Sequence, residues 1–175
     1  DRGDYRCYSF QAIKFLTCGD GGMIICPNKE KEHEARLLRW FGLDRTKNES
    51  FRCTQNIPKA GFKYHMNDIA AAIGICNVPA ARDSVNRTRY HSKMIIDHVK
   101  NDNLILPEWD EDCSYWLFSM HVKNGRKSEF AKFLEDNNIS TSPVHYRNDF
   151  YDCTAQFRES DLPGTTSFDA TQICI

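Results

Sequence analysis

The chain has 175 residues, 41% of them hydrophobic, with 23 basic against 24 acidic side chains for a formal net charge of −1. Near-neutrality removes any global electrostatic argument for nucleic acid or a membrane surface. No run approaches the roughly 18 apolar residues of a spanning helix, and Asp1-Arg2-Gly3-Asp4 lacks the apolar centre of a signal peptide.

In chain order, residues 7–10 read as a short strand, followed by a loop carrying Lys14. Met23-Ile24-Ile25-Cys26 reads as a second strand stopped by Pro27-Asn28. Residues 29–41 have helical spacing through Leu37, Trp40 and Phe41. Residues 42–60 are polar and irregular. A helix begins near Asn67 with Met66, Ile69, Ala70 and Ile73 as its apolar stripe, and Pro79 is expected to end or kink it. A second helix then runs over about 80–99.

A second unit opens with Leu104-Ile105-Leu106. Alternation of Trp116, Phe118, Met120 and Val122 predicts a strand over 115–122, and Asn124-Gly125 a turn. Residues 127–136 read as a helix with Phe130, Phe133 and Leu134 inward, and 139–144 as another strand. The rest is loop until a last strand at 172–175. Strand–helix alternation predicts α/β for the first part and α+β for the second, with the boundary at 79/80.

Eight cysteines form no C-x-x-C and no Cys/His cluster suited to zinc. Cys7, Cys26, Cys76 and Cys174 sit in apolar runs, where a thiol behaves as a small hydrophobe. Reduced, mostly buried thiols and a cytoplasmic chain are therefore expected, with no metal site. The competing reading is a secreted cysteine-rich binding domain, for which the sequons at Asn48, Asn86 and Asn138 speak weakly.

The segment from Ser9 to Gly22 carries the chemistry. Lys14 lies among Ile13, Phe15 and Leu16, and an ammonium among apolar groups loses hydration, which favours the neutral amine. That amine is the nucleophile that condenses with an aldehyde. Ser9, just after a strand, offers a hydroxyl to a phosphate. Gly-Asp-Gly-Gly at 19–22 lets backbone approach closely, and is not a Walker loop because no Gly-Lys-Ser/Thr follows.

Ser9-Phe10-x-x-x-Lys14-x-Leu16-Thr17-x-Gly19-Asp20-Gly21-Gly22 closely resembles the lysine segment of the DegT/StrS family, sugar aminotransferases of the fold-type I pyridoxal-phosphate (PLP) class. Arg36-Leu37-Leu38-Arg39-Trp40-Phe41-Gly42-Leu43-Asp44-Arg45 resembles that family's arginine-rich helix, and 61–74, from Gly61-Phe62-Lys63-Tyr64-His65 to Gly74, its next signature. Ile139 to Arg147 resembles its late strand and substrate loop.

The resemblance implies that 1–79 belong to the PLP-binding large domain and its dimer-interface helix, and 80–175 to a connecting helix and a small α+β domain. It implies that Lys14 forms the Schiff base and moves a proton between the sugar carbon and the cofactor's C4′, and that Ser9 holds the PLP phosphate. Position 63, an asparagine in the family, would reach the partner subunit's phosphate, and Lys63 stands there instead. His145, Tyr146 and Arg147 would lie near the sugar nucleotide, where an arginine suits a diphosphate. The implied partners are a second copy of the chain, a nucleotide-sugar substrate and an amino donor such as glutamate. Pyridoxamine phosphate is the cofactor's intermediate form. Relatives acting as dehydratases replace the lysine with histidine, so Lys14 points to amino transfer. The family's chain is longer, and the preceding part would carry the acid facing the pyridine nitrogen and the group stacked on the ring. The sequence is thus expected to be truncated at both ends, and a non-catalytic interaction module is the alternative.

Overall fold

The structure, a computed structural model, describes residues 3–47, 54–158 and 161–175. The Asn48 sequon and Cys53 lie outside the described residues. The chain divides into two compact units, Asp1–Asp83 and Ser84–Ile175.

In the first unit, β1 (Arg6–Ser9) and β2 (Gly22–Ile25) pair antiparallel, with Arg6 opposite Ile25 and Ser9 opposite Gly22. Gly22 is required there: a Cβ would stand 2.7 Å from the Tyr8 carbonyl oxygen. The strands thus form the neck of the loop carrying Lys14. Helix α1 (Lys29–Leu38) starts where Asn28 caps it, its side chain accepting from Lys31 N at 2.9 Å. Glu30 and Glu32 sit in its first turn, favourable at the positive end of the helix dipole. It ends at Gly42, whose φ of +80° suits glycine and whose N–H returns to the Leu37 carbonyl at 2.9 Å.

Helix α2 (Asp68–His98) is one continuous element of 31 residues, beginning in the first unit and finishing in the second. The expected break at Pro79 does not occur. A proline inside a helix costs about 3 kcal/mol, and packing at buried Ala81 and Ser92 and at half-buried Gly74 offsets it. Those small residues mark the packed side. The anticipated stripe is corrected in part, because Ile69 is 76% exposed and Ile73 is exposed as well.

The second unit holds a three-stranded antiparallel sheet in the order β3 (Leu104–Ile105), β4 (Ser119–Val122), β5 (Gln172–Cys174). Its core is Tyr115, Phe118, Met120, Val122 and Ile173, with Ile95, Leu104, Leu106 and Trp109 packed on it. The strand expected over 115–122 shortens to its second half, because Tyr115 takes a φ of +51°, which no strand accommodates. Its ring stacks on Trp109 at 5.1 Å and its hydroxyl accepts from Asp110 N at 2.7 Å. Helix α3 (Lys127–Asp136) lies where the sequence places it, with Leu134 buried, but Phe133 is 60% exposed rather than inward. The strand expected over 139–144 reduces to one bridge, Ser142 with Cys174. Two 3-10 turns, Asn148–Phe150 and Asp152–Phe157, and helix α4 (Pro163–Thr171) occupy the segment expected to be loop. Proline at the first position of α4 supplies a helix start that the polar composition concealed.

Seven cysteines among the described residues are free; Cys18 and Cys174 are buried, Cys26 and Cys113 half-buried, and Cys7, Cys76 and Cys153 exposed. The expectation of burial therefore fails for Cys7 and Cys76. Among the described residues no helix is long and apolar enough to cross a membrane.

Candidate active site

Residues 10–21 form a closed loop on the β1–β2 neck. Phe10 N donates to Gly21 O at 2.9 Å, and the Phe10 carbonyl accepts from Cys18 N at 3.0 Å and Thr17 Oγ1 at 3.2 Å. Gly19 N donates to Thr17 Oγ1, and Gly21 N to Asp20 Oδ1, both at 3.0 Å. Lys14 lies on the far side of this ring, half-buried, its N–H turned back to Gln11 O at 3.0 Å. Phe15 and Leu16 beside it are half-buried and Ile13 is exposed, so the apolar surroundings expected for Lys14 are incomplete within these residues. Ser9 ends β1, exposed, its Oγ accepting from Gln11 N at 3.3 Å. That acceptance leaves the hydroxyl proton able to donate to an anion.

A pyridoxal phosphate brings an aldehyde and a phosphate. The amine of Lys14 and the hydroxyl of Ser9, on the loop and on the strand end from which it springs, are the donors those two ends need. The donor set fits the group.

Lys63 is exposed, and its backbone bridges to Trp40. Its Nζ stands 3.9 Å above the Trp40 ring and 3.2 Å from each His65 ring nitrogen, while Arg45 lies 4.9 Å from the same indole. The His65 ring meets Trp40 edge-on at 4.0 Å. Partial burial, then Lys63, Arg45 and Arg39, hold the His65 imidazole below its ordinary value, with Asp68 opposing. A cavity of about 390 Å³ opens here, lined by Arg36, Arg39, Arg45 and His33, with Asp44 and Asp68 as its acids. Glu32 takes Arg36 at 2.7 Å, whereas Arg39, Arg45 and Lys63 have no carboxylate within ion-pair distance among the described residues. The arginine-rich stretch at 36–45 signalled this patch in the sequence, but the parts of Trp40 and His65 in it were missed.

In the second unit His145 and Tyr146 are exposed and line a cavity of about 570 Å³ with Phe168 and Asp169. Tyr146 meets Phe150 at 5.8 Å and Tyr151 at 5.2 Å, both edge-on. Arg147 is differently placed. Its guanidinium holds Asp149 through two bonds of 2.6 and 3.0 Å and donates to Thr166 Oγ1 at 2.9 Å. Three of the five N–H donors expected to be available to a diphosphate are thus engaged by Asp149 and by Thr166 of α4. A sequence does not reveal such a partner, because nothing in Arg-Asn-Asp indicates that the two side chains turn toward each other.

The profile of the DegT/DnrJ/EryC1/StrS aminotransferase family matches residues 1–175. The chain belongs to this family. Sugar aminotransferase CalS13 from Micromonospora echinospora is 28% identical, with a TM-score of 0.86 over 99% of this chain and 47% of its own. AtS13 from Actinomadura melliaura is 29% identical, with a TM-score of 0.87 over 100% of this chain and 47% of its own. The uncharacterized protein MJ1066 of Methanocaldococcus jannaschii is 29% identical over 176 residues, covering 92% of this chain and 45% of itself. The chain thus spans about half the length of the relatives it matches, and its fold is part of a fold-type I PLP-transferase.

Proposed function

We propose that this chain supplies the lysine-bearing part of the large domain and the small domain of an aminotransferase. It would take an amino group from a donor such as glutamate and deliver it to a keto-deoxy-sugar nucleotide. The observation that carries the reading is the family match over 1–175 with Lys14 presented by a loop tied at both ends. The sugar specificity rests on CalS13, described as a sugar aminotransferase.

When bound, pyridoxal phosphate supplies an electron sink next to the substrate carbon. The chain's own residues do the rest. Lys14 Nζ would be the nucleophile toward the aldehyde of a bound cofactor, and its amine would then carry a proton between the substrate carbon and C4′. Ser9 Oγ donates to the cofactor phosphate. Lys63, on a patch whose Arg39 and Arg45 meet no carboxylate among the described residues, would serve the phosphate in a second copy of the chain. The exposed, stacked pair Phe62 and Tyr64, with ring centroids at 5.0 Å, and exposed Ile69 supply apolar area for that homodimer. His145 and Tyr146 face the sugar nucleotide, and Arg147 orders their loop through Asp149.

The test is to incubate the protein with pyridoxal phosphate, fix the imine with borohydride and map the adduct. A pyridoxyl group on Lys14, absent from Lys14→Ala, is the expected result; an adduct that maps to another lysine overturns the assignment. The second reading is a non-catalytic interaction module, for which the exposed Phe62, Tyr64 and Ile69 speak. It predicts that the native protein retains no cofactor through gel filtration.

A further inference from the structure

A long-range hydrogen bond fastens the loop that carries Lys14 to α2. Asn77 Nδ2 donates to the Thr17 carbonyl at 3.0 Å, across 60 positions of sequence. Thr17 is the knot of the loop: its Oγ1 donates to Phe10 O and accepts from Gly19 N. Beside it Cys18, 4% exposed, fills the space between loop and helix. Its Sγ donates to Asp20 O at 3.1 Å. A Cβ added at Gly74 of α2 would stand 3.4 Å from Cys18 Cβ, and one added at Gly21 would stand 3.1 Å from Cys18 Sγ and 3.3 Å from Met66 Cε. The neck bonds hold the two ends of the loop together, but they leave the loop's lean relative to α2 unset. The Asn77 bond and the Cys18 contact join the loop to α2.

We propose that Asn77 is a positioning residue for Lys14, holding the lysine's loop in a fixed register on α2 with Cys18 as the packing contact. The inference rests on Lys14 being the cofactor lysine. A lysine that must reach one aldehyde carbon and then one substrate carbon gains rate from a fixed origin. Segment 61–67, with Lys63, leads directly into the same helix, so the two cationic groups share one scaffold.

Asn77→Ala and the near-isosteric Asn77→Leu remove the donor, and Asn77→Gln keeps it. Three quantities are read on the 175-residue chain: amide hydrogen exchange over 11–20, N-ethylmaleimide modification of Cys18, and competitive acetylation of Lys14. Loss of one neutral hydrogen bond should speed loop exchange and Cys18 modification by about fivefold. The Lys14 acetylation rate should shift with them, and Asn77→Gln should restore part of each. Cys174 and Lys132, in the second unit, are the internal controls and should not change. Where Ala also exposes Cys174, Leu decides. Unchanged loop exchange in both donor-less variants overturns the proposal, and so does a loosened loop with unchanged Lys14 acetylation. A borohydride-fixed pyridoxyl group on another lysine overturns the cofactor reading and with it the catalytic meaning of the fastening, whatever the loop does.

Discussion

The two units solve the problem of burial differently. In the second, Tyr115, Phe118, Met120, Val122 and Ile173 form one buried cluster behind a three-stranded sheet. In the first, the buried apolar residues among those described are Cys18 and Ala81, while Tyr8, Met23 and Ile24 of the two-stranded sheet are exposed. Hydrophobic area removed from water is the main favourable term in folding. The second unit therefore carries its own stability, and the first is held mainly by local bonds: the loop neck, the Asn28 cap and the Gly42 turn. The unit that carries Lys14 and Ser9 is the one with the less developed core.

Substitutions give the sharpest way to break this contrast. Phe118→Ala should cost about 3–5 kcal/mol, because it empties a packed site. Met23→Ala on β2 should change stability by no more than about 0.5 kcal/mol, as at an exposed position. Urea unfolding followed by circular dichroism measures both. Equal losses would mean that the first unit's sheet is as well packed as the second's.

The two buried thiols extend the comparison without mutation. Cys174 is held in the second unit's sheet, with its N–H on Ser142 O at 2.8 Å and its carbonyl accepting from Ser142 N at 3.1 Å. Cys18 is covered by its own loop and by α2 at Gly74, without a sheet around it. At a urea concentration below the main transition, Cys18 should be alkylated about tenfold faster than Cys174, a difference near 1.4 kcal/mol in local opening. Peptide mapping after timed quenching reads this directly, and matched rates would show one cooperative unit.

What was legible in the sequence follows the same division. Helix α3 and the strand residues Met120 and Val122 were readable because their apolar periodicity reports a core that exists in this chain. Ile69 and Ile73 misled, because their stripe belongs to a face these residues leave open. Tyr115 broke the predicted strand through a positive φ that its side chain does not advertise. The loop that carries Lys14 follows a linear motif, because the bonds that close it are local. Arg147 with Asp149, and Asn77 with Thr17, were not legible, because partner choice depends on how a loop turns and on which helix it meets. Pro79 was read by its local cost, and the helix nevertheless continues past it to His98.

Charge shows the contrast again. In the second unit Arg147 and Asp149 are largely enclosed, with side chains 11% and 15% exposed. The Arg147 hydrogen bond holds the Asp149 carboxyl below the usual carboxylate range, with burial opposing. A carboxyl lowered in the folded state stabilises it above the unfolded value and loses that contribution as pH falls through the folded value. The order of the 145–150 loop should therefore weaken in acid below about pH 4. Asp149→Asn should remove that dependence, and Arg147→Gln should move the Asp149 titration upward, as carboxyl NMR shifts would record.

In the first unit like charges gather instead. Burial first, then Lys63, Arg45 and Arg39, hold His65 below 6.5. The folded state thus binds a proton less readily than the unfolded one. The sign matches that of Asp149: the contribution of His65 to stability is full above the unfolded value and is lost as pH falls through the lowered folded value. Lys63→Ala should raise the His65 midpoint, read from imidazole NMR shifts, but return only part of the displacement, because burial is the larger cause. An anion seated among Lys63, Arg45 and Arg39 should raise it too, by supplying the negative charge that Asp149 supplies to Arg147 in the other unit. Titrating His65 with and without inorganic phosphate separates the two units' strategies: a midpoint that phosphate leaves unmoved would mean that the cations around Trp40 are satisfied by its ring alone.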